Sequence, residues 1–292
     1  MKKLKNIGEA LLYLLIYFVV ETTVTTAFVF ISNWEQMYEM MLKAELDYDA
    51  MYKMIEGSVT DNQILLTVIL NAVFVAAVFL IFVVRKKDFF REVGLLKPDP
   101  RYILPVIALG ASMNVLIAFI LSIIPFPQSW WDTYSAASAA VDETSALTIV
   151  AVVIVAPLAE EILFRGLLFT RFSRSGGVYF GMVASSLIFG LMHGTAIWFI
   201  YTALIGFVLA FVFYRSRSLV YPMLLHLSFN LTSFIFSENI PIYVVIISAV
   251  IFVAALIFIV SMSNKTIREE AAANAANIDA AGIENKNDRE QQ

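Results

Sequence analysis

Ala156-Pro157-Leu158-Ala159-Glu160-Glu161-Ile162-Leu163-Phe164-Arg165-Gly166 stands inside an apolar run that extends from Leu147 to Phe169. A helix needs about 20 apolar residues to cross the hydrocarbon core of a bilayer, and this run has that length. Three charges in its middle are costly in hydrocarbon and are rare there without a partner or a function. Glu161 and Arg165 are separated by four residues and so stack on one helix face, where each neutralises the other. Glu160 is rotated by about 100° onto another face. One carboxylate is therefore structural and the other is free to react. Pro157 removes a backbone donor one turn earlier and loosens the helix at this point.

Outward from this stretch, the whole chain has the same character. Hydrophobic residues make up 60% of the 292 positions and charged residues 15%, whereas a soluble domain has nearer half and a quarter. The pattern predicts an all-α, polytopic membrane bundle rather than a β-barrel, whose segments alternate and are weaker. Eight spans are expected, at roughly 7–31, 63–84, 102–125, 147–170, 178–196, 197–214, 218–237 and 240–262. Residues 1–262 form the transmembrane domain, with a motif-bearing core at 147–237, and 263–292 form a polar cytoplasmic tail whose composition predicts disorder. Lys2, Lys3 and Lys5 precede a long apolar run with no small-residue cleavage site, which reads as a first membrane helix. The chain has no cysteine, which excludes disulfides, thiolate nucleophiles and thiolate metal ligands. A net charge of −4 gives no reason to expect a nucleic-acid partner.

Basic residues set the orientation. Arg85, Lys86, Lys87, Arg91, Lys97 and Arg101 fill 85–101, Arg171 and Arg174 follow span four, and Arg215 and Arg217 follow span six. The segment 126–146 has none, and 33–62 has only Lys43 and Lys53. The positive-inside rule then puts both termini in the cytoplasm. The 33–62 loop carries Met37, Met40, Met41 and Leu42 at near-helical spacing, as a short amphipathic surface helix would, and Trp130-Trp131 fit an interfacial aromatic belt.

The only histidines, His193 and His226, also lie in apolar stretches. Phe189 stands one turn before His193, where its ring can pack beside the imidazole. Asn230 stands one turn after His226, which aims an imidazole and a carboxamide from one face. By helical rise, all these groups fall in the middle third of the membrane. A carboxylate in an apolar pocket becomes a usable general base near neutral pH. An imidazole can hold the attacking water, and His226 with Asn230 can donate to a developing oxyanion. Each histidine alone reads more simply as an interhelical contact, and Glu160 alone as a buried neutral acid. The combination carries the reading. Glu9, Glu21, Asn71 and Asn114 are read as packing or interhelical hydrogen bonds. Two histidines and a carboxylate can bind zinc or iron, but the His-Glu-x-x-His helix is absent and asparagine is a poor zinc ligand, so a metal site ranks second.

Glu160-Glu161-x-x-x-Arg165, Phe189-x-x-x-His193 and His226-x-x-x-Asn230, in this order on consecutive apolar segments, resemble the signature of the CAAX-protease and bacteriocin-processing (CPBP, or Abi) family. These are intramembrane proteases related to the type II CAAX prenyl endopeptidase. The resemblance covers roughly residues 147–237. It implies an eight-helix fold with a cavity holding the site, and a glutamate-dependent, metal-free mechanism with no cofactor. It implies Glu160 as the carboxylate that activates water, His193 as its partner, His226 and Asn230 as the oxyanion-stabilising pair, and Glu161, Arg165 and Phe189 as supporting residues. The expected protein is a multi-pass cell-membrane endopeptidase whose partners are the lipid bilayer and a membrane-associated or lipidated substrate. The rivals are a non-catalytic immunity or binding protein of the same fold, a metal-dependent membrane protease, and a proton-coupled transporter, which should show internal repeats.

Overall fold

The structure is a computed structural model and describes residues 2–43, 47–139, 145–236 and 240–265. Most of the expected polar tail, at 266–292, lies outside the described residues. Every regular element among the described residues is helical, as a chain with so few polar groups requires if each backbone N–H and C=O is to be satisfied without water.

A long first helix, α1 (Lys2–Ser32), is followed by two short ones, α2 (Trp34–Lys43) and α3 (Tyr48–Thr60). Helix α4 (Gln63–Val84) leads into a single turn, α5 (Phe89–Val93), capped by Asp88, whose side chain accepts from the Arg91 backbone N–H. Next come α6 (Ile103–Ile123), α7 (Gln128–Ser138) and the helix α8 (Ala146–Gly176), which holds the opening motif. Helices α9 (Val178–Leu191), α10 (Ala196–Ser216), α11 (Val220–Ser233) and α12 (Ile242–Lys265) complete the bundle. Gly177, at φ 90° and ψ 169°, makes the reversal between α8 and α9, in a region that residues with a Cβ do not tolerate.

The eight expected spans correspond to α1, α4, α6, α8, α9, α10, α11 and α12. Six of these, all but α9 and α11, are long and apolar enough to cross a membrane, and the chain is a multi-pass membrane protein. Helices α9 and α11 have 14 residues each, a length of about 21 Å against a core of about 30 Å. Span five was expected to run to 196. The helix stops at Leu191 because Gly194 takes φ 81° and Thr195 caps α10 through the Trp198 N–H. The 33–62 loop holds two helices, α2 and α3, instead of one, and Trp130-Trp131 sit within α7.

Helix α8 is the centre of the molecule. Half of its apolar window is buried, against 6% for α1. Leu163, Phe164, Leu167 and Leu168 pack with Tyr13 of α1, Phe74, Val78 and Phe82 of α4, and Met182 and Phe189 of α9. A second cluster joins α6, α10, α11 and α12 through Val106, Leu109, Leu209, Leu225 and Ile259. Helices α6 and α11 approach so closely that a Cβ on Gly110 would fall 2.2 Å from the Leu225 carbonyl oxygen. At one end of the bundle, Glu9 lies 3.6 Å from Arg85 and 3.8 Å from Arg171. The Ser175 hydroxyl donates to the Lys3 carbonyl. Glu9 thus belongs to an ion cluster that fastens α1 to α4 and α8, where a plain packing contact or interhelical hydrogen bond was expected. Asn71 donates to Thr67 within its own helix, not across helices.

Candidate active site

Two π-helical segments, Val150–Val155 and Ile162–Phe169, interrupt α8 on either side of Ala156–Glu161. Such bulges are frequent at functional sites. The first has a cause in the sequence. The Ala156 N–H bonds to the Ala151 carbonyl, a five-residue step. The next step would bring the Val152 carbonyl to position 157, where proline has no N–H. The Asn230 side chain of α11 supplies the donor instead, with Nδ2–H to Val152 O at 2.8 Å. The helix break and the asparagine are two halves of one interhelical tie.

The second interruption begins directly after Glu161 and contains Arg165. Both side chains are inaccessible, at 0% and 1% exposure, and they pair at 2.8 Å. The Arg165 guanidinium also donates to the Gly206 carbonyl of α10 at 3.1 Å and lies 4.5 Å from the centre of the Phe189 ring. The same Glu161 oxygen, Oε1, accepts from His226 Nδ1–H at 3.0 Å. Glu161 therefore holds a guanidinium and an imidazole together, and among the described residues Oε2 has no hydrogen-bond partner.

Since a carboxylate oxygen accepts, His226 carries its proton on Nδ1, and Nε2 faces the opposite way. Glu160 Oε2 stands 3.7 Å from that Nε2. The imidazole thus sits between two carboxylates of one helix, one fully enclosed and the other, Glu160, 24% exposed. This difference follows from the offset of adjacent helical residues.

His193 lies just past the end of α9, at the break before Thr195. Its Nδ1–H donates to the Phe189 carbonyl at 2.7 Å, which leaves Nε2 as the acceptor in the neutral ring. Phe189 meets His193 edge-on at 4.7 Å between centroids, as the spacing predicts, and also meets His226 at 5.8 Å and Phe164 at 4.9 Å. One phenyl ring separates and orients both histidines and the arginine.

The expected site residues Glu160, Glu161, Arg165, Phe189, His193, His226 and Asn230 thus come to one region between α8, α9 and α11. The contact that Glu160 makes is with His226, and among the described residues it makes no hydrogen bond or ion pair with His193. His226 and Asn230 both point at α8, to Glu161 and to the Val152 carbonyl, not to one another's target. Two neighbours were not foreseen. Tyr17 of α1 packs against the core cluster around α8 and meets Phe74 edge-on at 5.2 Å. A lone Tyr in an apolar helix gives no sequence signal. The Val152 carbonyl was detectable, five residues before a proline. Among the described residues no group of three or more His, Asp or Glu is arranged to hold a metal ion.

Residues 142–232, which contain all seven of these positions, match the family model described as type II CAAX prenyl endopeptidase Rce1-like. The chain is also 32% identical over 84 residues to the Bacillus subtilis protein named "Putative membrane peptidase YdiL". That alignment covers 29% of this chain and 34% of the relative, so the chain spans about a third of the length of the curated relative it matches. No solved structure matches the chain significantly. The family match and the relative together support the CPBP family.

Proposed function

We propose that the chain is an intramembrane endopeptidase in which Glu160 activates water to hydrolyse a peptide bond of a membrane-associated or lipidated substrate. The observation that carries this is the His226 imidazole, held by Glu161 at 3.0 Å on one nitrogen and facing Glu160 at 3.7 Å on the other. The family match, and the name of the Bacillus subtilis relative, support a membrane protease in the same region of the chain.

A water held by the lone pair of His193 Nε2 gives a proton to Glu160 as its oxygen attacks the scissile carbonyl carbon. Charge develops on the carbonyl oxygen. The donors within reach are the second Nδ2 hydrogen of Asn230, whose first is fixed on Val152, and His226 in its doubly protonated form. Glu161, itself paired with Arg165, stabilises that imidazolium. Glu160 then returns its proton to the departing amine, and the C–N bond breaks. Phe189, Glu161 and Arg165 act through the histidines they orient. Bacteriocin maturation and self-immunity belong to the same proposal as roles that different substrates would give.

The competing mechanism is metal-dependent hydrolysis at the same histidines. Dialysis against EDTA and 1,10-phenanthroline distinguishes the two. Cleavage of a membrane-anchored peptide by the purified chain should survive dialysis unchanged. Activity lost on dialysis and restored by Zn²⁺ would establish the metal mechanism.

A further inference from the structure

Beside the site, α1 and the end of α9 border an open cleft of roughly 400 Å³, lined by Leu14, Phe18, Glu21, Ile188, Leu191 and Met192. Five of its six walls are apolar. Phe18 and Leu191 are exposed on the outer surface of the bundle, so the cleft opens toward lipid. Ile188 and Met192 immediately precede Phe189 and His193 in the chain. The cleft thus shares the last turn of α9 with the residues that orient the site's imidazoles. Glu21 is the anomaly. It sits within a membrane-length apolar helix, and among the described residues it makes no hydrogen bond or ion pair. Of the other α1 and α8 acids discussed above, Glu9 and Glu161 pair with arginines and Glu160 faces His226. A lone carboxylate in an apolar cleft is costly unless something charged or hydrogen-bonding arrives to meet it.

We propose that this cleft is a substrate subsite, and that Glu21 is a specificity-determining residue that receives a lysine or arginine of an otherwise apolar peptide segment. The proposal rests on the protease reading of the neighbouring site and adds the substrate's chemistry to it. Leu14, Phe18 and Leu191 take the apolar side chains, and the ammonium or guanidinium replaces its lost hydration with the Glu21 carboxylate. Charge complementarity selects this occupant. An anionic lipid phosphate would be repelled by Glu21, and a purely aliphatic chain would leave the carboxylate unpaired.

The test uses the full chain in nanodiscs of neutral phosphatidylcholine. The probes are fluorescent leucine-rich peptides in which lysine, glutamine or glutamate is swept through each position. Binding and cleavage are both measured. Lysine at one register should bind about 10-fold more tightly than glutamine, as a charge-assisted pair does. Glu21→Gln should bring that ratio to about one, and Glu21→Lys should invert it in favour of glutamate. A ratio near one in the wild-type chain, or a lysine preference that survives both substitutions, would overturn the proposal. A wild-type preference for lysine that disappears on adding phosphatidylethanolamine would assign the cleft to a lipid amine and overturn it as well. The binding ratios stand apart from hydrolysis, so peptides bound with the expected preference but never cut would refute the protease reading alone.

Discussion

Glu160 and Glu161 are adjacent in sequence and opposite in circumstance. Glu161 has no exposure and holds two partners at once, the Arg165 guanidinium at 2.8 Å and the His226 imidazole at 3.0 Å. Replacing it by Gln leaves the Arg165 guanidinium enclosed without its counter-charge, which costs about 3–5 kcal/mol when a buried pair is broken. Glu161→Gln should therefore lower the melting temperature of the detergent-solubilised chain and reduce turnover as well, since His226 loses its orienting acceptor. A melting temperature equal to that of the wild type would remove Glu161 from this positioning role. At this scale the sequence was informative where spacing determines contact. Glu161 with Arg165 and Phe189 with His193 are both one-turn pairs, and both form. It was silent where the contact comes from another helix. Nothing local announces that His226 bonds to Glu161, or that Asn230 bonds to the Val152 carbonyl.

Among the elements, α8 departs furthest from a regular helix, and its first π segment depends on a single residue. Pro157 cannot donate to the Val152 carbonyl, and Asn230 does so from α11. Asn230 therefore has a structural duty besides its proposed donation to an oxyanion, and the two duties can be separated. Asn230→Ala should cost about 1 kcal/mol, since the acceptor left unpaired is only partly buried. It should also lower kcat by about 10²–10³-fold, as losing one oxyanion donor does. Adding Pro157→Ala to Asn230→Ala restores a backbone N–H near that carbonyl. The double variant should recover stability but not turnover. Recovery of both, measured by thermal melts and steady-state kinetics, would reduce Asn230 to a helix tie. Element boundaries were readable in part. Span 63–84 coincides with α4 because apolar residues fill it from end to end. Helices α9 and α11 are shorter than expected because composition does not reveal where a chain turns inside an apolar stretch. Gly194 at φ 81° marks the first of those turns, and α11 ends at Ser233 where the span was expected to reach 237.

For the whole molecule, basic loops set an orientation that the helix packing alone does not fix. With both termini inside, single cysteines at positions 48 and 135 should react with an impermeant maleimide on intact cells, and one at position 88 should not. Labelling at 88 would reverse the assignment. The ion cluster of Glu9, Arg85 and Arg171 ties α1, α4 and α8 at the end of the bundle that this orientation makes cytoplasmic. From that end the site lies deeper along α8, and α1 packs Tyr13 and Tyr17 against the same core cluster from outside the matched segment. The most direct measurement is hydrolysis itself. The purified full chain and its Glu160→Gln variant are incubated with membrane-anchored peptides in H₂¹⁸O, and the products are weighed by mass spectrometry. The wild-type chain should give two fragments, with one ¹⁸O in the new carboxyl group. Glu160→Gln should give none while melting within about 1 kcal/mol of the wild type, since its carboxylate is partly exposed and outside the Glu161–Arg165 pair. Equal cleavage by the two proteins would contradict Glu160 as the group that activates water.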